Sequence, residues 1–96
     1  MIVDIDVNAG QYALWLAAAK DQSITWSAWA IDACNYRVKT GRSHSAGSVS
    51  FDRHDSLYNV LPAQFLEWTD AAHDEGRTLS EWVTEACNWR LIRGSR

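Results

Sequence analysis

Val3-Asp4-Ile5-Asp6-Val7 alternates apolar and polar side chains, the period-two pattern of a strand with one buried face. The period then changes. Tyr12, Trp15, Leu16 and Ala19 recur at helical spacing and predict a helix over residues 9–21, with Asn8 as its N-cap. Gln22-Ser23 breaks it. Thr25 is placed to cap a second helix running to about Val38, with Trp29, Ala30, Ala33 and Cys34 inward. The same order then recurs. Leu57 to Leu61 is the predicted strand, and Pro62 stands in the first helical turn, where its missing N–H is tolerated. Phe65, Trp68 and Ala72 form the inward stripe, and Gly76 ends that helix. Thr78 caps the last helix, and Glu81 three residues on completes a capping box.

An offset of 53 aligns the two halves without gaps from residue 11 to residue 38. Trp15 meets Trp68, Asp21 meets Asp74, Trp29 meets Trp82, Ala33-Cys34-Asn35 meets Ala86-Cys87-Asn88, and Arg37 meets Arg90. This is a duplication of one strand-helix-helix unit. Residues 1–38 and 56–96 are the two copies. Residues 39–55, rich in Ser and Gly, read as a flexible linker. At 96 residues the chain suits one compact domain, so the copies are expected to fold together.

A lone strand followed by two helices cannot bury its apolar face or pair its backbone groups. Antiparallel pairing of two such units solves both problems, and it is the architecture of the ribbon-helix-helix family of DNA-binding proteins. The second copy resembles that family in Leu61-Pro62, in the Phe65/Trp68/Ala72 helix, and most specifically in Gly76-Arg77-Thr78-Leu79-Ser80-Glu81 before its second helix. The first copy is similar but weaker there, with Ser23-Ile24-Thr25-Trp26-Ser27. The resemblance implies a mostly α protein with a small β ribbon, an intramolecular pseudodimer of two ribbon-helix-helix units. It implies that the two-stranded antiparallel ribbon enters the major groove of double-stranded DNA, where base edges are readable. With two different strands, such a ribbon reads an asymmetric site. The function implied is that of a small, sequence-specific transcriptional regulator of phage or plasmid type, and further assembly of pseudodimers is open.

With Val3, Ile5 and Val7 inward, Asp4 and Asp6 face outward. Carrying the offset back places Tyr58 and Val60 inward, and Leu57 and Asn59 outward. The Leu61-Pro62 match suggests the register one residue away, which exchanges the faces. By resemblance, Asp4, Asp6, Leu57 and Asn59 are the DNA-facing ribbon positions. At the starts of the second helices, free N–H groups and the helix dipole favour a phosphate. Thr25, Ser27, Thr78 and Ser80 are therefore candidate phosphate clamps, with Arg77 beside them, although simple capping explains the threonines equally well. Lys39, Arg42, His44, Arg53 and His54 are linker residues placed to embrace a nucleic-acid backbone or to be solvated. Trp26 replaces Leu79 of the other copy. Exposed, it would anchor a partner; packed, it is core, as Trp15, Trp29, Trp68 and Trp82 are expected to be.

Charge changes this picture. The net charge is −3, divided as −2 over residues 1–38, +1 over 39–55 and −2 over 56–96. DNA binding relies on Lys and Arg to neutralise phosphates, and two outward Asp side chains repel them. A protein-binding module that reuses the scaffold, with an acidic ribbon engaging a basic host or regulatory protein, is the alternative reading. No apolar run approaches the ~20 residues of a membrane span, and the start MIVDIDV lacks the basic region of a signal peptide. A cytoplasmic protein is expected, with Cys34 and Cys87 reduced. His44, His54 and His73 have no metal-ligand spacing with the cysteines, and no nucleophile-base pair or phosphate-binding Gly loop occurs. No catalysis, metal or cofactor is expected.

Overall fold

The structure is a computed structural model that describes residues 1–40 and 50–92. In chain order the elements are β1 (Val3–Val7), α1 (Ala9–Asp21), α2 (Trp26–Thr40), β2 (Arg53–Leu57), α3 (Pro62–Asp74) and α4 (Leu79–Ile92). The described residues are mostly helical, with one two-stranded antiparallel ribbon.

The helix ends follow their residues. Asn8 Oδ1 accepts from Gln11 N at 3.2 Å, and Asp52 Oδ1 accepts from Ala9 N at 2.8 Å, so two side chains satisfy the start of α1. Pro62 opens α3, and the Leu61 N–H donates to the Gln64 side chain at 3.2 Å. Both helix pairs turn through a left-handed residue, Ser23 at φ 58° and Gly76 at φ 68°, 53 positions apart. At each turn an N–H reaches back to a carbonyl five residues earlier, Ile24 to Ala19 and Arg77 to Ala72, which stops the helix.

The second strand lies earlier than the repeat predicts. β2 is Arg53–Leu57, not Leu57–Leu61, so residues 53–55 of the expected linker are strand. Its register pairs Val3 with Leu57, Ile5 with Asp55 and Val7 with Arg53. α1 and α3 begin at residues 9 and 62, 53 apart, whereas β1 and β2 begin at 3 and 53, 50 apart. The three additional residues fall between β2 and α3. There Asn59 takes φ 63°, a conformation Asn tolerates and a strand does not. The turn breaks the alternation. Leu57 and Val60 are both fully buried, while Tyr58 is exposed, so neither register expected for this segment holds.

The core lies between the inner ribbon face and the helices. Val3, Ile5, Val7 and Leu57 meet Trp15, Trp29, Trp68 and Trp82, all four tryptophans being fully buried. Leu16, one of the apolar residues at helical spacing, is exposed. α1 buries Trp15 and Ala19, and Leu16 falls outside that arc. α2 and α4 form the most extensive helix contact. Several contacts occur twice at the spacing of 53. Trp15 Nε1 donates to Asn88 Oδ1 at 2.9 Å, and Trp68 Nε1 to Asn35 Oδ1 at 3.1 Å. The Arg37 guanidinium lies over the Trp82 ring and donates to its carbonyl, as Arg90 does with Trp29. Each of these contacts joins one half of the chain to the other.

Candidate functional site

The outer face of the ribbon carries Asp4 and Asp6 from β1, directly opposite Ser56 and His54 of β2. Alternation puts these four on one side because Val3, Ile5 and Val7 are drawn into the core. Ser56 Oγ donates to Asp4 Oδ1 at 2.5 Å, and His54 Nδ1 lies 3.1 Å from Asp6 Oδ1. The side chains of His54 and Asp6 remain more than half exposed. The hydrogen bond to Asp6 raises the His54 pKa above its usual value; desolvation opposes this, and the charges of Asp6, Asp4 and Asp55 add to the rise. Two carboxylates against one imidazole leave this face negative.

At the inward positions of β2, Asp55 is half-buried while Arg53, at the start of the strand, stays exposed. The Arg53 guanidinium sits 4.8 Å from the centre of the Tyr12 ring and 3.7 Å from Asp55. Burial, and next a hydrogen bond to Asp55, push the Tyr12 phenol up to about 12.

The helix starts are engaged within the protein. Tyr58 N donates to Ser27 Oγ at 2.8 Å, and Ser27 Oγ donates to Tyr58 O at 3.0 Å. Ser80 Oγ accepts from Asp6 N at 2.9 Å. The two serines thus tether the ends of the ribbon to α2 and α4. Thr25 and Thr78 act as N-caps, accepting from Ala28 N at 3.1 Å and Glu81 N at 3.2 Å. Glu81 in turn accepts from Thr78 N at 2.9 Å, and that bond lowers its pKa. A carboxylate therefore stands at the start of α4, where a phosphate was expected. The equivalent position at the start of α2 is Ala28, which leaves that end without a carboxylate.

Other expected site residues lie elsewhere. Arg77 pairs with Glu85 through Nη1 and lies 3.7 Å from Glu75, so its charge is spent within the fold. Leu57 is a core residue opposite Val3 rather than an outward ribbon residue. Trp26 is 9% exposed, stacked on Trp15 at 5.6 Å and edge-on to Tyr12 at 5.1 Å. It packs as core and presents no exposed anchor. Asn59 is exposed but sits beyond the strand, where it lines a cleft of about 420 Å³ with Tyr58, Thr25 and Asp32. Lys39 lies in the last turn of α2, and Arg42 and His44 lie outside the described residues.

Sequence reasoning missed Ser56 and His54 as ribbon residues. Their signal was the segment Arg53-His54-Asp55-Ser56-Leu57, which holds a single apolar residue and so reads as linker. Cys34 and Cys87 are buried, and burial raises both thiols above their usual range, leaving them protonated and unreactive. Among the described residues, no group of three or more His, Cys, Asp or Glu is arranged to hold a metal ion. Among them, too, no helix is long and apolar enough to cross a membrane.

Comparison with protein-family models, curated proteins and solved structures found no match to this chain.

Proposed function

We propose that the chain is a single-chain pseudodimer of two ribbon-helix-helix units whose ribbon is an acidic docking face for a basic segment of another protein. The pseudodimer reading is supported by the contacts that recur at a spacing of 53, each joining the two halves. The functional reading rests on one observation. The outward ribbon positions are Asp4, Asp6, His54 and Ser56, with both carboxylates held in place by cross-strand partners. A groove-reading ribbon would bring those carboxylates against phosphate-lined DNA, and like-charge contact opposes binding. A Lys- or Arg-bearing segment meets the same face favourably. The Glu81 carboxylate at α4 and the internal pairing of Arg77 act in the same direction.

A second reading, a sequence-specific transcriptional regulator of double-stranded DNA, is favoured by the start of α2, where no carboxylate occupies the position equivalent to Glu81. One pair of experiments separates the two. Capture from lysate by the wild-type chain is expected to recover a basic protein that Asp4→Lys/Asp6→Lys no longer binds. Selection on random duplexes at low salt is expected to enrich no site. An enriched duplex whose affinity falls steeply with salt would overturn the protein-docking reading in favour of DNA.

A further inference from the structure

α1 and α3 occupy equivalent places in the two halves but present opposite surfaces. α3 exposes Glu67, Asp70, His73 and Asp74. The matching positions on α1, 53 residues earlier, are Leu14, Ala17, Lys20 and Asp21. Along the body of α1, the exposed positions are Gly10, Ala13, Leu14, Leu16 and Ala17. Two of them are large, Leu14 at 59% and Leu16 at 40% exposure. At 100° per residue, Gly10, Ala13 and Ala17 form the middle of this face, and the two leucines flank it. The face carries no charge until Lys20 and Asp21 at its C-terminal end. At the other end, exposed Asp52 hydrogen-bonds the Ala9 N–H.

We infer that the outer face of α1 is a self-association surface on which a second copy of this chain packs, α1 against α1, antiparallel. The charges select this occupant. In an antiparallel pair each Lys20 lies beside the other copy's Asp52. The other copy's α1 start already holds the Asp52 carboxylate, so Lys20, and not Asp21, carries each end contact. A two-fold axis makes both ends alike, as an isologous contact requires. Small residues in the middle let the helices approach to about 8 Å, with the leucines closing over the flanks. The helix has 13 residues and is about 20 Å long, so the contact falls below the ~1,200 Å² of a stable interface. The dimer is accordingly weak and reversible. It does not rest on the reading of the ribbon as a docking face.

Sedimentation of the purified chain from about 5 µM to about 1 mM tests this, with a dissociation constant on the order of 10–100 µM expected for so small a contact. The mass should rise from one chain to two. L14E/A17D gives α1 the residues of α3 and should remain at one chain throughout, with an unchanged far-UV circular dichroism spectrum. Ala13→Glu, a single change at an exposed position, should do the same and serves if the double variant does not fold. Lys20→Glu makes both end contacts repulsive and should weaken association about tenfold at low salt. Leu66→Glu, at an equally exposed leucine of α3, should leave association intact. A wild-type chain that stays monomeric, a dimer that survives L14E/A17D and Ala13→Glu, or one dissolved by Leu66→Glu overturns the inference. Association indifferent to Lys20→Glu overturns the antiparallel arrangement.

Discussion

Arg37 on α2 and Arg90 on α4 each reach the opposite half in the same way, but their surroundings differ. Arg90 donates to Trp29 O and Gln22 Oε1, both at 2.9 Å, and lies 3.7 Å from an Asp32 that is 70% exposed. Arg37 is 2% exposed and meets two carboxylates, Glu75 at 2.5 Å and Glu85 at 2.9 Å, and Arg77 pairs with both of them. Glu75 stands where the other half has Gln22, Glu85 where it has Asp32, and Arg77 where it has Ile24. The guanidinium over a tryptophan ring, donating to that residue's carbonyl, is the common element. Among the described residues, a buried ion network stands around Arg37. A buried pair contributes little net stability, because desolvation offsets attraction, but it is sensitive to loss of one partner.

The largest effect should come from breaking that network. Arg37→Ala leaves the two carboxylates Glu75 and Glu85 to share Arg77 and should cost about 3–5 kcal/mol, read as a lower urea midpoint with an unchanged slope. Arg90→Ala removes the bonds to Trp29 O and Gln22 Oε1 and the contact with exposed Asp32, and should cost about 1–3 kcal/mol. Equal losses would mean that the two clusters do not differ energetically. The next effect should be even. Asn35→Ala and Asn88→Ala each strip the acceptor from a buried tryptophan N–H, and each should cost about 1–3 kcal/mol. Unequal values would show that the shared contacts have diverged as well.

A smaller difference is expected at the helix turns. Ser23→Gly relieves a left-handed serine and should stabilise by about 0.5–1 kcal/mol, while Gly76→Ser should destabilise by about as much. Nothing lies within 4 Å of the position a Cβ would take at Gly76, so backbone conformation alone sets that cost. The smallest effect is on the ribbon. Because its pKa is raised in the folded chain, His54 contributes its stabilisation below its unfolded pKa. That contribution fades as pH rises through the folded value. In an NMR titration, Asp6→Asn should bring the His54 pKa down; an unmoved value would mean that the cross-strand contact is absent in solution.

The helices and the four fully buried tryptophans were legible because apolar spacing and capping residues are local signals. Asn8, Thr25, Thr78 and Glu81 take their capping positions as read. The second strand was not legible in the same way. An ungapped alignment set by the helices carries an offset of 53 into a strand whose own offset is 50. The polar residues Arg53 and Asp55 at its inward positions hid its alternation; Arg53 stays exposed at the ribbon's end, and both residues meet Tyr12, far away in sequence. With the strand misplaced, Ser56 and His54 dropped out of the candidate face and Leu57 entered it. Asn59, a residue tolerant of positive φ, was the one local sign of a turn between strand and helix. The tethering roles of Ser27 and Ser80 depend on where the ribbon ends, which their own neighbourhood in the sequence does not encode.

The ribbon joins a strand beginning at residue 3 to one beginning at residue 53, and the tryptophan-asparagine bonds cross between the same halves. Neither half holds a complete core. The covalent connection between them therefore works as an effective concentration, converting a bimolecular encounter into an intramolecular one. Cut between residues 40 and 53, the two fragments should be unfolded alone and regain structure when mixed, with a midpoint that depends on concentration. In the intact chain that dependence vanishes, and folding becomes a property of one molecule rather than of a population.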